Sequence, residues 1–259
     1  MKILLNGICG HMGREVVKLC EEGYRNSSLV AGVDPMSAGD ESVPVYKNFE
    51  QMSQASGVDC IVDFSHHSLT ESLLNFAIKN SLPVVLATTG HTEEEKEKIY
   101  LAAKKIPVFY SANMSLGIAL LCELAKTTAA AFPEADIEII EKHHNRKIDA
   151  PSGTALMLAK ALCEVREDSF VKAGRSGQGK RETNEIGVHA IRMANIVGEH
   201  EVIVGTKNQT ITLKHEAHSR ALFAEGALCA AEYIVGRSAG IYDMKSMVEN
   251  KDEEIVATL

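Results

Sequence analysis

The sequence predicts an α/β protein: a parallel sheet in its first part, then an α+β part with a mostly antiparallel sheet. Three observations predict it. Residues 2 to 110 alternate short apolar runs with segments of helical period. After about residue 186, strand-like runs follow one another without intervening helices. The chain has 259 residues and 45% hydrophobic content, enough for two modest cores.

The elements follow in order. Lys2 to Leu5 reads as a buried strand, Met12 to Glu22 as a helix and Leu29 to Val33 as a second strand ending at Asp34. Cys60 to Phe64 and Pro83 to Ala87 repeat the strand pattern, with a helical period over Leu69 to Asn80 between them. Glu93 to Lys105 reads as a helix, with Thr92 placed to cap it and a Glu94–Lys98 pair one turn apart. Pro107 to Tyr110 is a further strand. Leu116 to Phe132 is the most apolar long segment, but it carries Glu123 and Lys126, so it reads as a buried helix of a soluble protein and not a membrane span. Ala173 to Asn184, rich in Gly, Arg and Lys, reads as a mobile loop. Ile186 to Met193, Glu201 to Gly205 and Thr210 to His215 read as strands, and Ala221 to Val235 as a closing helix. No internal repeat or low-complexity tract interrupts this order.

Bulk properties exclude several function classes. The formal net charge of −8 argues against a nucleic-acid partner, because duplex binding needs a basic face. The opening residues show only Ile3-Leu4-Leu5 before Asn6 and Gly7, so no signal peptide is expected. The six scattered cysteines form no CxxC pair. They read as reduced thiols of a cytoplasmic protein, and no metal site is expected.

Gly7-Ile8-Cys9-Gly10-His11-Met12-Gly13 follows the first strand and opens the first helix. Its glycines fall as GxxGxxG, with Cys9 where a dinucleotide fingerprint usually has its second glycine. The physical need is still met: a residue free to take positive φ makes the turn, and helix N-terminal amides face a pyrophosphate. Arg14 adds a nearby cation. Asp34 lies 21 residues after Gly13, suited to bind the hydroxyls of an adenosine ribose. Pro35 stands where a cation would hold a 2′-phosphate, which favours NADH over NADPH. Asp63-Phe64-Ser65 and Ala87-Thr88-Thr89-Gly90 are loops at strand ends, where a doubly wound sheet lines its ligand crevice. The bland alternatives are a glycine-rich turn of an ordinary α/β protein and simple turn chemistry.

The stretch from Glu141 to Thr154 concentrates the acid–base residues. His143 and His144 are adjacent, so on a strand they face opposite ways and on a loop they could converge. Histidine is well poised to give a proton near neutral pH. Lys147 could anchor a carboxylate or assist proton delivery. Pro151 starts or just precedes a helix whose first turn holds Ser152, Gly153 and Thr154, and such a turn suits a carboxylate. On spacing alone, a basic surface loop before a capped helix explains these residues slightly better. Beside a hydride donor they make chemical sense, since reduction of a C=C–C=N system leaves an atom that must be protonated.

These residues resemble the 4-hydroxy-tetrahydrodipicolinate reductase (dihydrodipicolinate reductase) family. The resemblance is carried by His143-His144 and Asp149-Ala150-Pro151-Ser152-Gly153-Thr154-Ala155, and by Met12-Gly13-Arg14, Asp63-Phe64-Ser65 and Thr88-Thr89-Gly90. Asn113-Met114-Ser115-Leu116-Gly117, Ile196-Val197-Gly198-Glu199-His200 and Ser219-Arg220 extend it along the chain. It implies a Rossmann-like dinucleotide-binding domain over 1–112 and 221–259, and a substrate-binding and tetramerisation domain over 113–220. It implies hydride transfer from NADH or NADPH to a cyclic dicarboxylate in lysine and diaminopimelate biosynthesis. By position, His143 would donate the proton with help from Lys147, and His144, Gly153 and Thr154 would hold substrate carboxylates. Gly7, Ile8, Cys9, Gly10, His11, Met12, Asp34, Ala87, Thr88, Thr89, Ser111, Ala112, Asn113 and Met114 would line the cofactor. Ala87 and Cys9 replace glycines of the family pattern, and Ala194-Asn195 replaces a Gly-Asp pair. These departures touch cofactor preference and leave the acid–base set intact.

Two other readings compete. A related dehydrogenase of another small amino or imino dicarboxylate, such as aspartate, shares the nucleotide loop without needing the His-His, Lys and Ser-Gly-Thr set. A dinucleotide sensor with a dead site would bind NADH without turnover, and the intact His143 and Lys147 argue against it.

Overall fold

The computed structural model describes residues 1–37, 43–52 and 55–249. They form two compact units, one of residues 1–115 with the chain from 220 onward, the other of residues 116–219. The first unit begins with β1 (Lys2–Asn6), α1 (His11–Glu21), β2 (Ser28–Val33), β3 (Val45–Tyr46), β4 (Cys60–Asp63), α2 (Thr70–Lys79), β5 (Val84–Leu86), α3 (Glu93–Ala103) and β6 (Pro107–Tyr110). The second contains α4 (Leu116–Ala131), β7 (Asp136–His143), α5 (Gly153–Glu164), β8 (Phe170–Ala173), β9 (Glu185–Arg192), β10 (Gly198–Gly205) and β11 (Thr210–Ala217). The chain then completes the first unit with α6 (Ala221–Ile234) and β12 (Gly240–Tyr242).

The first unit is a seven-stranded sheet of order β12-β6-β5-β4-β1-β2-β3, parallel throughout. Its central strands read as unbroken apolar runs because helices cover both faces. Ile3, Leu4, Leu5, Ile61, Val62, Val84, Val85, Leu86, Val108 and Phe109 are fully buried. The chain order reverses between β1 and β4, so Asn6 and Asp63, paired in register, end at the position where such sheets open a ligand crevice. Thr92 caps α3 as expected: its hydroxyl accepts from the Glu95 amide at 3.2 Å, and the Glu95 carboxylate accepts from the Thr92 amide at 2.7 Å. Lys98 reaches Glu94 at 3.1 Å. In α6, a Cβ on Gly226 would fall 1.7 Å from the Met114 carbonyl oxygen, so that glycine permits the close approach of the segment after β6.

The second unit corrects one expectation. Its five-stranded sheet, of order β11-β10-β7-β9-β8, is mixed: β7–β10 and β10–β11 are antiparallel, whereas β7–β9 and β9–β8 are parallel. Parallel neighbours need crossover connections. One is supplied by α5 and β8, the other by residues 174–184, the stretch expected to be a mobile loop. That connection is tied down: Arg175 pairs with Glu185, and Arg181 pairs with Asp136 at 2.8 Å and with Glu138. The strand content of β7 and β8 was not anticipated. β8 is short and largely exposed, and β7 ends in three polar residues.

α4 and α5 cover one face of this sheet. Ile118, Leu121 and Ala125 of α4 and Leu158 and Leu162 of α5 pack against Ile137, Ile139, Ile186, Val188, Val202 and Val204. Fully burying each of these leucine, isoleucine and valine side chains contributes about 1.5–3 kcal/mol. The expected buried helix over 116–132 is buried along one face, at Ile118, Leu121, Ala125 and Ala129, while Leu120 and Leu124 are nearly half exposed. Among the described residues no helix is long and apolar enough to cross a membrane, and no group of three His, Cys, Asp or Glu side chains could hold a metal ion.

Candidate active site

In the second unit the site grows out of the alternation of β7. Ile137, Ile139, Glu141 and His143 fall on the buried face, and Glu138, Ile140 and Lys142 on the other. The apolar stripe therefore ends in a fully buried carboxylate followed by a histidine that is 8% exposed. A buried charge is costly unless paired and hydrogen-bonded, and Glu141 is fully engaged. Its two oxygens accept from the two Arg192 Nη atoms at 2.8 Å each. Oε1 also accepts from the Ser152 amide at 2.9 Å, and Oε2 lies 2.5 Å from His143 Nδ1. Burial opposes ionisation of Glu141, but Arg192, His143 and the Ser152 amide outweigh it and hold the carboxyl below its usual range. β9 places Arg192 directly opposite His143 in register, and the Arg192 Nη2 donates onward to the Asp149 carbonyl at 2.6 Å.

On the far side of the imidazole, a Cβ on Gly198 would come within 3.1 Å of His143 Nε2, so a larger residue there would crowd that nitrogen. The His200 ring stands edge-on to His143 at 5.2 Å, and its Nε2 lies 3.3 Å from the Ser152 hydroxyl. Burial, followed by the neighbouring His143, pushes His200 down to about 4, so His200 is neutral at physiological pH.

His144 is the first residue beyond β7, with its amide bonded to the Ile196 carbonyl at 2.8 Å. Lys147 follows in a turn closed by its amide on the His144 carbonyl, and its ammonium pairs with Asp149 at 2.9 Å. Ser152 caps α5, its hydroxyl accepting from the Ala155 amide at 3.2 Å. Gly153 and Thr154 thus occupy the first turn of α5, where amides have no intrahelical partner. Lys147 first, with a smaller contribution from the Gly153 amide, holds the Asp149 carboxyl below its ordinary range. A carboxylate of the chain itself thus rests on the groups expected to take a substrate carboxylate.

In the first unit, Gly7 adopts a φ of +84°, and a Cβ there would lie 2.7 Å from the Phe64 carbonyl oxygen. A Cβ on Gly13 would fall 2.2 Å from the Gly7 oxygen, so α1 is seated directly on the turn. Gly10 is the cap residue of α1, and no side chain caps that helix. The amides of His11, Met12 and Gly13 are therefore presented as donors, with Ile8 buried beneath them. Asp34 stands at the end of β2 as expected and accepts from the Cys9 amide and the Met36 amide, each at 2.9 Å. It fastens the glycine turn while keeping further lone pairs for a hydroxyl. An uncapped helix start, a turn that a Cβ would fill and an acid beside it fit a dinucleotide.

The loops after β4 and β5 meet this turn. Buried Asn6 donates to Asp63 Oδ1 at 2.8 Å and to the Ser65 hydroxyl at 2.9 Å, and Ser65 donates to Asp63 at 2.6 Å. Burial pushes the Asp63 carboxyl up, against the opposing hydrogen bonds. The Ala87 amide bonds the Asp63 carbonyl at 3.0 Å, Thr88 is buried, and Thr89 is exposed. Ser111 and Asn113 fold the segment through Ala112 to Met114 on itself: the Ser111 hydroxyl donates to the Asn113 carbonyl at 2.7 Å, and Asn113 Oδ1 accepts from the Ser115 amide at 2.9 Å. The cofactor residues expected from sequence thus lie on the sheet's carboxyl-end loops of one unit, and the acid–base residues lie together in the other.

Sequence reasoning assigned no role to Glu141, Arg192, Gly198 or His200. A signal existed for Glu141, which continues the every-second-residue stripe of Ile137 and Ile139, but β7 itself was not anticipated.

Residues 1–114 match the family model for the N-terminus of dihydrodipicolinate reductase, and residues 117–248 match the model for its C-terminus. The 4-hydroxy-tetrahydrodipicolinate reductase of Clostridium novyi (strain NT) is 44% identical over 253 residues, spanning 97% of this chain and 99% of that protein. That of Caldanaerobacter subterraneus subsp. tengcongensis is 43% identical over 96% of this chain and 98% of its own length. Among solved structures, dipicolinate-bound dihydrodipicolinate reductase from Paenisporosarcina sp. TG-14 is similar with a TM-score of 0.80 and 26% identity, over 94% of this chain and 97% of that one. On these matches over nearly its whole length, the chain belongs to the dihydrodipicolinate reductase family.

Proposed function

We propose that this reductase converts 4-hydroxy-tetrahydrodipicolinate to tetrahydrodipicolinate with His143 as proton donor. Replacing the substrate 4-hydroxyl by hydrogen consumes one hydride and one proton and releases water. The reduced nicotinamide supplies the hydride when bound. Gly7 to Met12, Asp34, Ala87 to Thr89 and Ser111 to Met114 hold that cofactor in the first unit. In the second, His143 carries the proton at Nε2, and Lys147 anchors a carboxylate and assists the transfer. The first-turn amides of α5 at Gly153 and Thr154, with His144, hold the substrate carboxylates. The observation that carries this reading is the histidine of β7, backed by a buried carboxylate, a few residues before a lysine and the capped start of α5.

NADH is the favoured cofactor. Asp34 is 7% exposed, and Pro35 follows it where a 2′-phosphate would want a cation. The enzyme works in the cytoplasm as a homotetramer. The test is an absorbance assay of NADH and NADPH oxidation with substrate generated in place from pyruvate and aspartate semialdehyde by the preceding synthase. Oxidation that requires the synthase product supports the reading. Cofactor binding without oxidation contradicts it.

A further inference from the structure

We infer that Glu141, held in place by Arg192, is a positioning residue that fixes the tautomer of His143. The inference rests on the proposed role of His143 as proton donor, and its closing experiment separates the two.

The geometry allows one arrangement of protons. Arg192 can only donate, and it fills both oxygens of Glu141 through a planar fork. The Ser152 amide, also only a donor, takes a further lone pair of Oε1. Ionised Glu141 is an acceptor alone, so the 2.5 Å contact with His143 Nδ1 carries the proton on the histidine. Neutral His143 is therefore the Nδ1–H tautomer with its lone pair at Nε2, the nitrogen that faces Gly198. When His143 is charged, the second proton sits at Nε2 and is the one that can be handed on. Without Glu141 the ring could settle in the other tautomer, with the wrong nitrogen protonated.

The experiment is nitrogen-15 histidine spectroscopy of the full-length protein under alkaline conditions, with His143→Asn assigning the resonance, on wild type, Glu141→Gln and Arg192→Lys. The expected wild-type spectrum is the Nδ1–H tautomer. In Glu141→Gln the side-chain amide can donate to Nδ1, so the Nε2–H form should appear. Arg192→Lys keeps a donor on Glu141 and should keep the Nδ1–H form. An Nε2–H tautomer in the wild type overturns the inference, as does an unchanged tautomer in Glu141→Gln. If Glu141→Gln does not fold, the wild-type tautomer decides alone. Because the spectrum needs no turnover, the expected tautomers in a protein that never oxidises the cofactor would sustain the positioning and defeat the proposed function.

Discussion

Lys147 and Asp149 form an ion pair at 2.9 Å beside the first turn of α5. The pair couples the cation expected to anchor a substrate carboxylate to a carboxylate of the chain itself, so binding a dicarboxylate means exchanging one partner for another. Half-exposed pairs of this kind contribute about 0.2–1 kcal/mol. Asp149→Asn should therefore tighten binding of dipicolinate by about two- to fivefold, measured by calorimetry. Weaker binding would show that Asp149 supports the site.

Removal of the lysine itself should be far more damaging. Lys147→Ala should lower turnover by about 10²-fold or more, the usual scale for losing acid–base help. Near-normal turnover would take Lys147 out of the mechanism. Thr154 offers the contrast: if it binds ground-state carboxylate, Thr154→Val should raise KM more than it lowers kcat.

The nucleotide turn makes a steric prediction. A methyl on Gly13 would overlap the Gly7 carbonyl oxygen, a backbone atom that cannot rotate away. Gly13→Ala should cost about 1–3 kcal/mol of stability and weaken NADH binding, read by thermal unfolding and by nicotinamide fluorescence. A variant with unchanged affinity would remove α1 seating from the account of cofactor binding.

His200 predicts a pH dependence of stability. Its folded value is about 4 against an ordinary 6.5, so the unfolded chain binds its proton first. Its contribution to stability is complete above pH 6.5 and is lost as the pH falls from 6.5 towards 4, on the order of 3 kcal/mol in all. Denaturant unfolding of the wild type should weaken across that window, and His200→Asn should flatten the slope there. An equal slope in the variant would assign the acid lability to other groups.

How much of this was legible follows from the physics of each element. β1, β4, β5 and β6, and the last half of β2, are buried on both faces, so they stand out as apolar runs, and the Gly7 turn and Asp34 are local to two of them. The capped start of α3 is likewise a short-range signal. β7 was missed because its exposed face breaks the apolar run and its end is polar. The parallel pairing of β8 and β9 was missed because a connection dominated by Gly, Arg and Lys looks unstructured until Glu185 and Glu138 are brought to it. His143, Lys147, Gly153 and Thr154 were singled out from local pattern and resemblance. The Arg192 fork on Glu141 joins residues 51 positions apart, which no local pattern reveals.

The most direct test of the central claim is the rate of NADH oxidation by the full-length protein in the synthase-coupled assay, wild type beside His143→Gln. The account predicts oxidation that depends on the synthase product, with NADH preferred over NADPH, and a loss of about 10²–10⁴-fold in the variant, the range for a positioned general acid. Wild-type rates that ignore the synthase product, or a variant as fast as the wild type, would contradict it.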